Sequence, residues 1–128
     1  MPVHWTISHP ARLVIAVAKD EIAAQDIEQY FAGVTAEGAM SYRKIFEIAP
    51  SAKGLKTESA KMLGERLVYY AQSGQVGPVA IVAPTEESFA QAEAFAKAVT
   101  VRRPLRIFRE IHEARHWLDA QPAGPVKG

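Results

Sequence analysis

The chain has 128 residues, of which 48% are hydrophobic and 23% are charged, and its formal net charge is +1. These values are ordinary for a single globular domain and too balanced for a disordered chain. They give no electrostatic field of the kind that attracts nucleic acid. The absence of cysteine excludes disulfides, thiol catalysis and cysteine-ligated metal sites.

Targeting signals are not evident in the sequence. The first residues, MPVHW, do not form a basic region followed by an apolar stretch, so we predict no secretory signal. The longest apolar run is far shorter than the roughly 20 residues that span a bilayer. We therefore expect a cytoplasmic protein without a transmembrane segment.

The N-terminal part of the chain predicts a β-hairpin. In Val3–Ser8, the apolar residues Val3, Trp5 and Ile7 alternate with polar ones, which is the pattern of a half-buried strand. Leu13–Ala18 is apolar on both faces, as expected for a central strand with both faces covered. The short segment HPAR between them is typical of a turn, so the two strands should pair antiparallel.

After the hairpin, helical and strand-like patterns alternate to the C-terminus. The predicted helices lie at 24–34, from about Thr57 (a good N-cap residue) onward, at about 89–99 and at 111–118, and the predicted strands at 42–48, 79–83 and 105–108. Strands linked through single helices must run parallel, by right-handed crossovers. The prediction is therefore an α/β fold with a mixed five-stranded sheet, in the order β-β-α-β-α-β-α-β-α. One domain covers residues 1–120, and a disordered tail covers 121–128.

This order of elements resembles the STAS-type domain, the fold of bacterial anti-sigma-factor antagonists. The segment 108–118, FREIHEARHWL, is also similar to the end of such domains, where an acidic residue, an alanine and a Trp-Leu pair recur. Phosphorylatable antagonists carry Asp-Ser or Asp-Thr followed by Ser-Gly where the central strand meets the second helix. The corresponding segment 46–57, FEIAPSAKGLKT, lacks that motif, so no phosphoacceptor is assigned. The resemblance implies a regulatory module that acts through a protein partner.

Catalytic and metal-binding motifs are weak. His112 and His116 are four residues apart on a predicted helix, but no third ligand is evident nearby, so we expect surface histidines with no metal and no cofactor. No glycine-rich phosphate loop or nucleophile elbow is present. Asp20 and Glu21 should lie in a solvated turn. Glu47, inside an apolar strand, either faces solvent or is a paired buried acid that lines a pocket.

The functional surface is predicted at the carboxyl ends of the parallel strands, where ligands meet open α/β sheets. Three loops should gather there, at 18–23, 49–57 and 83–87. The middle loop is the longest and carries the candidate ligand-binding residues Ser51, Lys53, Gly54, Lys56 and Thr57. Backbone amides at the helix start and the two lysines could hold an anionic group or a phosphorylated partner. The alternative is a mobile loop whose lysines are solvated.

A second apolar stripe lies on the helix that follows this loop. Met62 and Tyr69 are seven residues apart and lie away from the core stripe of Leu63, Leu67 and Tyr70. Such a stripe either packs on a neighbouring helix or forms an interface, which here would be that of a homodimer. The sequence favours a non-enzymatic regulatory or binding module with a protein partner, with or without a small anionic or lipid-like ligand. The alternatives are a small enzyme with its site in the strand-end loops, or a structural homodimer.

Overall fold

The computed structural model describes residues 2–71, 76–99 and 104–121. The predicted disordered tail therefore lies, apart from Gln121, outside the described residues. In chain order the elements are β1 (Val3–Ser8), β2 (Leu13–Ala18), α1 (Ala24–Ala36), β3 (Arg43–Ile48), α2 (Thr57–Ala71), β4 (Val79–Val82), α3 (Glu86–Ala98), β5 (Leu105–Phe108) and α4 (Ile111–Asp119). The predicted element order is confirmed.

The strands form one sheet in the order β1-β2-β3-β4-β5. β1 pairs antiparallel with β2, and the remaining pairs are parallel, which confirms the predicted mixed sheet. Each crossover moves one strand further in the same direction, so right-handed connections place α1, α2 and α3 on the same side. We call this side the helical face, and the side covered by α4 the α4 face.

The helical face carries most of the core. Alternate residues of the strands point to it, because side chains alternate across a strand. Val14, Ala16 and Ala18 of β2 are almost completely buried there. From α1, the residues Ile27, Tyr30, Phe31 and Val34 complete this layer.

The α4 face is covered more sparsely. Ala114 and Leu118 of α4 pack on Ile45, Ala80 and Val82, and all five residues are buried. The half-buried residues Leu13, Phe108, Ile111 and Trp117 surround this cluster. Because α4 packs on β3, β4 and β5, the β1–β2 side of this face lies beyond it.

Several element boundaries differ from the sequence prediction. β4 ends at Val82 rather than at Ala83, α3 spans Glu86–Ala98 rather than about 89–99, and α4 ends at Asp119 rather than at Leu118. α1 continues two residues further, to Ala36, through Gly33. A Cβ atom at Gly33 would lie 2.5 Å from Cζ2 of Trp5, so glycine here permits close helix–strand packing rather than ending the helix. Gly38, with φ of 69°, adopts the left-handed conformation that glycine favours just after a helix. β3 begins at Arg43 rather than at Tyr42.

Among the described helices, none combines the length and the hydropathy that a membrane-spanning helix needs.

Candidate ligand cavity

A cavity of about 90 Å³ lies between the helical face of the sheet and the helices α1, α2 and α3. Small side chains from three elements line it, namely Ala18, Ala60 and Ala92. Large apolar residues, including Leu63 and Phe95, complete the wall. The short alanine side chains leave space that larger residues would fill.

Contacts between the helices keep this space open. A Cβ atom at Gly64 of α2 would lie 2.5 Å from the carbonyl oxygen of Phe95, so α2 and α3 approach backbone to backbone. On the other side, Arg66 Nε of α2 donates to Glu28 Oε1 of α1 at 2.5 Å. α2 therefore contacts both α1 and α3 above the sheet. We expect these contacts to prevent α2 from moving closer to the strands and filling the cavity.

The amino end of the strands contributes a buried lysine to the cavity. Lys44 of β3 is 4% exposed and lies in register between Val14 and Val79. Its Nζ donates to the carbonyl oxygen of Tyr42 at 2.8 Å and to that of Met40. Buried polar groups need hydrogen-bond partners, and these carbonyls hold the amine at the cavity wall.

The carboxyl end of the strands closes the cavity with the loop predicted to bind ligands. Lys53 and Leu55 of this loop line the cavity, together with Gln91 of α3. Gln91 Nε2 donates to the carbonyl oxygen of Leu55, which fastens the loop to α3. The loop at 49–57 therefore belongs to the site, as a cover over one end of an apolar cavity.

Backbone hydrogen bonds tie this loop to the loop at 18–23. Lys53 N–H donates to the carbonyl of Asp20, and Ile22 N–H donates to the carbonyl of Lys53, both at 2.8 Å. Ser51 Oγ accepts from the amide of Asp20 at 3.3 Å. Two of the three loops predicted to gather do so. The backbone amide of Lys53 and the hydroxyl oxygen of Ser51 are thus used in contacts between these two loops.

Glycine and threonine in the loop have local roles. Gly54 has φ of +93°, and a Cβ atom there would lie 3.1 Å from the carbonyl oxygen of Ile22. Both observations require glycine for the turn itself. Thr57 is the first residue of α2 rather than its N-cap, and its side chain lies outside the described part of the structure. Lys56, which precedes it, is exposed.

The predicted interface residues lie on the outer side of α2. Met62 is 53% exposed and Tyr69 is 68% exposed, so neighbouring helices do not cover this stripe. On the inner side of the same helix, Leu63 and Leu67 line the cavity. α2 thus carries cavity-lining residues on its inner side and the exposed apolar pair Met62 and Tyr69 on its outer side.

The remaining candidates do not join the cavity. His112 and His116 are exposed, and His112 Nε2 lies 3.5 Å from Glu110 Oε2. No group of three metal-ligating side chains occurs among the described residues. Glu47 is half-buried and lies on the α4 face, because it alternates with the cavity-lining residues of β3. Glu47 therefore does not line this cavity.

Lys44 is the site residue that sequence reasoning missed. It shares the strand parity of Phe46 and Ile48, and all three side chains line the cavity. A lysine in the apolar half of an alternating strand was a signal that it lies inside the protein. The cavity itself has no sequence signal, because it depends on how far apart the helices stand.

Comparisons of the chain with protein-family models, with curated proteins and with solved structures found no match.

Proposed function

We propose that this chain is a non-enzymatic binding module with a STAS-like fold, which acts through a protein partner in response to a small ligand with an apolar part. The observation that carries this proposal is the apolar cavity of about 90 Å³ under α2. Apolar side chains that face open space lack packing neighbours on that side. A ligand with an apolar part supplies those contacts when it fills the cavity.

The cavity wall favours binding over catalysis. The polar lining among the described residues consists of Lys44, Lys53, Gln91 and the phenol of Tyr30, with no carboxylate. General acid–base and nucleophilic catalysis both need a nucleophile or proton carrier next to a partner that activates it. Asp20 is exposed at a strand end, away from this wall. The wall is suited instead to hold an apolar group and to favour negative charge.

The outer side of α2 supports the protein-partner half of the proposal. A ligand that shifts Leu63 and Leu67 also shifts Met62 and Tyr69, because the four residues share one rigid helix. Partner-dependent regulation is also what the STAS-like order of elements implies. The partner is a protein that covers this exposed pair, and a second copy of the chain is one such partner.

The test is a titration of the protein with 1-butanol, followed by the NMR shifts of the Leu63, Leu67 and Ile81 methyl groups. We expect these methyl groups to move together and saturably. Ala92→Met fills the cavity and should weaken binding at least tenfold, which is about 1.4 kcal/mol. Ala114→Met is the matched control, because Ala114 is also a buried helical alanine but lies on the α4 face.

Two results would contradict the proposed ligand site. One is that no cavity methyl group moves at any concentration at which the protein stays folded. The other is that Ala114→Met and Ala92→Met weaken binding equally, because the ligand would then be responding to general loosening of the core.

A further inference from the structure

The polar groups of the cavity differ in burial between its two ends. Lys44, at the amino end of β3, is the one charged residue that is buried within the described part of the chain. Lys53, in the loop at the opposite end, is exposed. Both line the same apolar space. A bound anion could therefore lie at either end, but the two ends do not offer it the same environment.

Lys44 is the stronger anchor for a negative charge. Attraction between charges grows as the dielectric constant falls, whereas exposed ion pairs are weakened by water and salt. Its amine is also held in place, since it donates to the carbonyls of Met40 and Tyr42. A group fixed before binding loses little side-chain entropy when a ligand arrives. The solvated Lys53 side chain has neither advantage.

The size of the cavity limits the rest of the ligand. Its volume of about 90 Å³ is smaller than the roughly 150 Å³ of an engineered cavity that binds benzene. With the helices in the observed positions, we therefore expect the space to take a linear chain of about four carbon atoms and not a full-length lipid chain.

We infer that the cavity binds a short-chain monocarboxylate, with the carboxylate against Lys44 and the alkyl chain among Leu63, Leu67 and Phe95. This inference rests on the proposed function, because it assigns the ligand class and the orientation within the same cavity. The negative charge of the carboxylate is attracted by the charge of the lysine, and the alkyl chain replaces empty space beside the apolar wall.

The experiment uses three ligands with one carbon skeleton and different charge, which are butanoate, 1-butanol and butylammonium. Each is titrated into the wild-type protein while the methyl shifts of Leu63 and Leu67 are followed. We expect butanoate to bind at least tenfold more tightly than 1-butanol, and butylammonium to bind most weakly. Lys44→Met should abolish the preference for butanoate and leave 1-butanol binding within about threefold. Lys53→Met is the matched control and should keep the preference.

The possible failures are distinguishable. If 1-butanol binds in the cavity but butanoate has no advantage, the carboxylate assignment is wrong and the proposed binding function stands. If the preference survives Lys44→Met and is lost in Lys53→Met, the anion lies at the exposed loop and the orientation is wrong. If none of the three ligands moves a cavity methyl group, both proposals fail. The wild-type charge series decides the ligand class even if Lys44→Met does not fold.

Discussion

The two faces of the sheet are covered in opposite ways, and the more heavily covered face contains the cavity. Three helices lie over the helical face, yet about 90 Å³ remains open beneath them. On the other face, α4 is the one helix of the described residues that packs on the sheet, and its Ala114 is fully buried in a cluster with Ile45, Ala80, Val82 and Leu118. A single helix can settle onto the strands without hindrance. Where helices also contact one another, as α2 and α3 do at Gly64, those contacts limit how closely each helix can approach the sheet, and space is left beneath them.

The largest expected difference between the faces comes from shortening one leucine on each. Leu118 and Leu63 are both 2% exposed, but only Leu63 lines the cavity. Leu→Ala changes in cores cost about 2–5 kcal/mol, depending on the contacts that are lost. We expect Leu118→Ala to destabilise the protein near the top of this range and Leu63→Ala near the bottom, because one side of Leu63 already lacks packing neighbours. Urea unfolding of both variants measures the difference, and equal costs would mean that the two faces are packed equally well.

The fold could be predicted from the sequence because its signals are periodic and local. Alternation in Val3–Ser8, the apolar run Leu13–Ala18 and the helical stripe that includes Leu63 and Leu67 each report which side chains are buried. The helical connections then require β2, β3, β4 and β5 to run parallel. The order of the strands in the sheet, and with it the common side of α1, α2 and α3, was not predicted. The misplaced end of α1 has a non-local cause, which is the packing of Gly33 against Trp5.

The candidate site could be predicted only in part, because it depends on tertiary distances. The sequence indicated the loop that carries Lys53, since strand ends of parallel sheets collect loops. It did not indicate that the amide of Lys53 bonds to Asp20, or that Gln91 reaches Leu55. Both are contacts between residues more than 30 positions apart. The cavity also depends on contacts between distant residues, because its volume is set by the distances between the helices and the sheet.

Adding volume should also separate the two faces, by a smaller difference in stability than removing it. Inserting extra methylene groups into a well-packed core costs about 1–3 kcal/mol. We expect that cost for Ala114→Met, whereas Ala92→Met should cost less than about 0.5 kcal/mol or stabilise, since the flexible methionine side chain enters existing space. Both changes put the same residue into a helix, so helix propensity cancels. Thermal unfolding of the pair tests this, and a destabilised Ala92→Met would indicate that the cavity cannot accept a chain of that length.

A smaller loss of stability is expected on the part of the α4 face that α4 does not cover. Ile15 and Val17 of β2 are half-buried there and lie outside the cluster around Leu118. Ile15→Thr keeps a β-branched side chain and should cost no more than about 1 kcal/mol, within the range of strand propensities. Ile45→Thr, in the next strand but beneath α4, is the control and should cost more, because Ile45 is 2% exposed and the hydroxyl would be buried. If both variants lose equal stability in urea, the β1–β2 side of this face is covered by something else, such as a second copy of the chain.

The smallest expected change in stability concerns the outer side of α2, where the effect should appear in association instead. Tyr69 is 68% exposed, so Tyr69→Glu should alter the unfolding free energy by no more than about 0.5 kcal/mol. In a symmetric dimer each residue of the patch counts twice, and burying a large apolar side chain contributes about 1.5–3 kcal/mol. If the exposed pair Met62 and Tyr69 forms the interface of a homodimer, light scattering at micromolar concentration should show a dimer that Tyr69→Glu weakens at least tenfold.

Lys61→Gln is the control for this test. It changes the charge of the same helix by the same amount without removing apolar surface, and it should leave the dimer intact. A wild-type protein that is monomeric at all concentrations, with and without butanoate, would exclude the homodimer and leave this surface to a different protein partner.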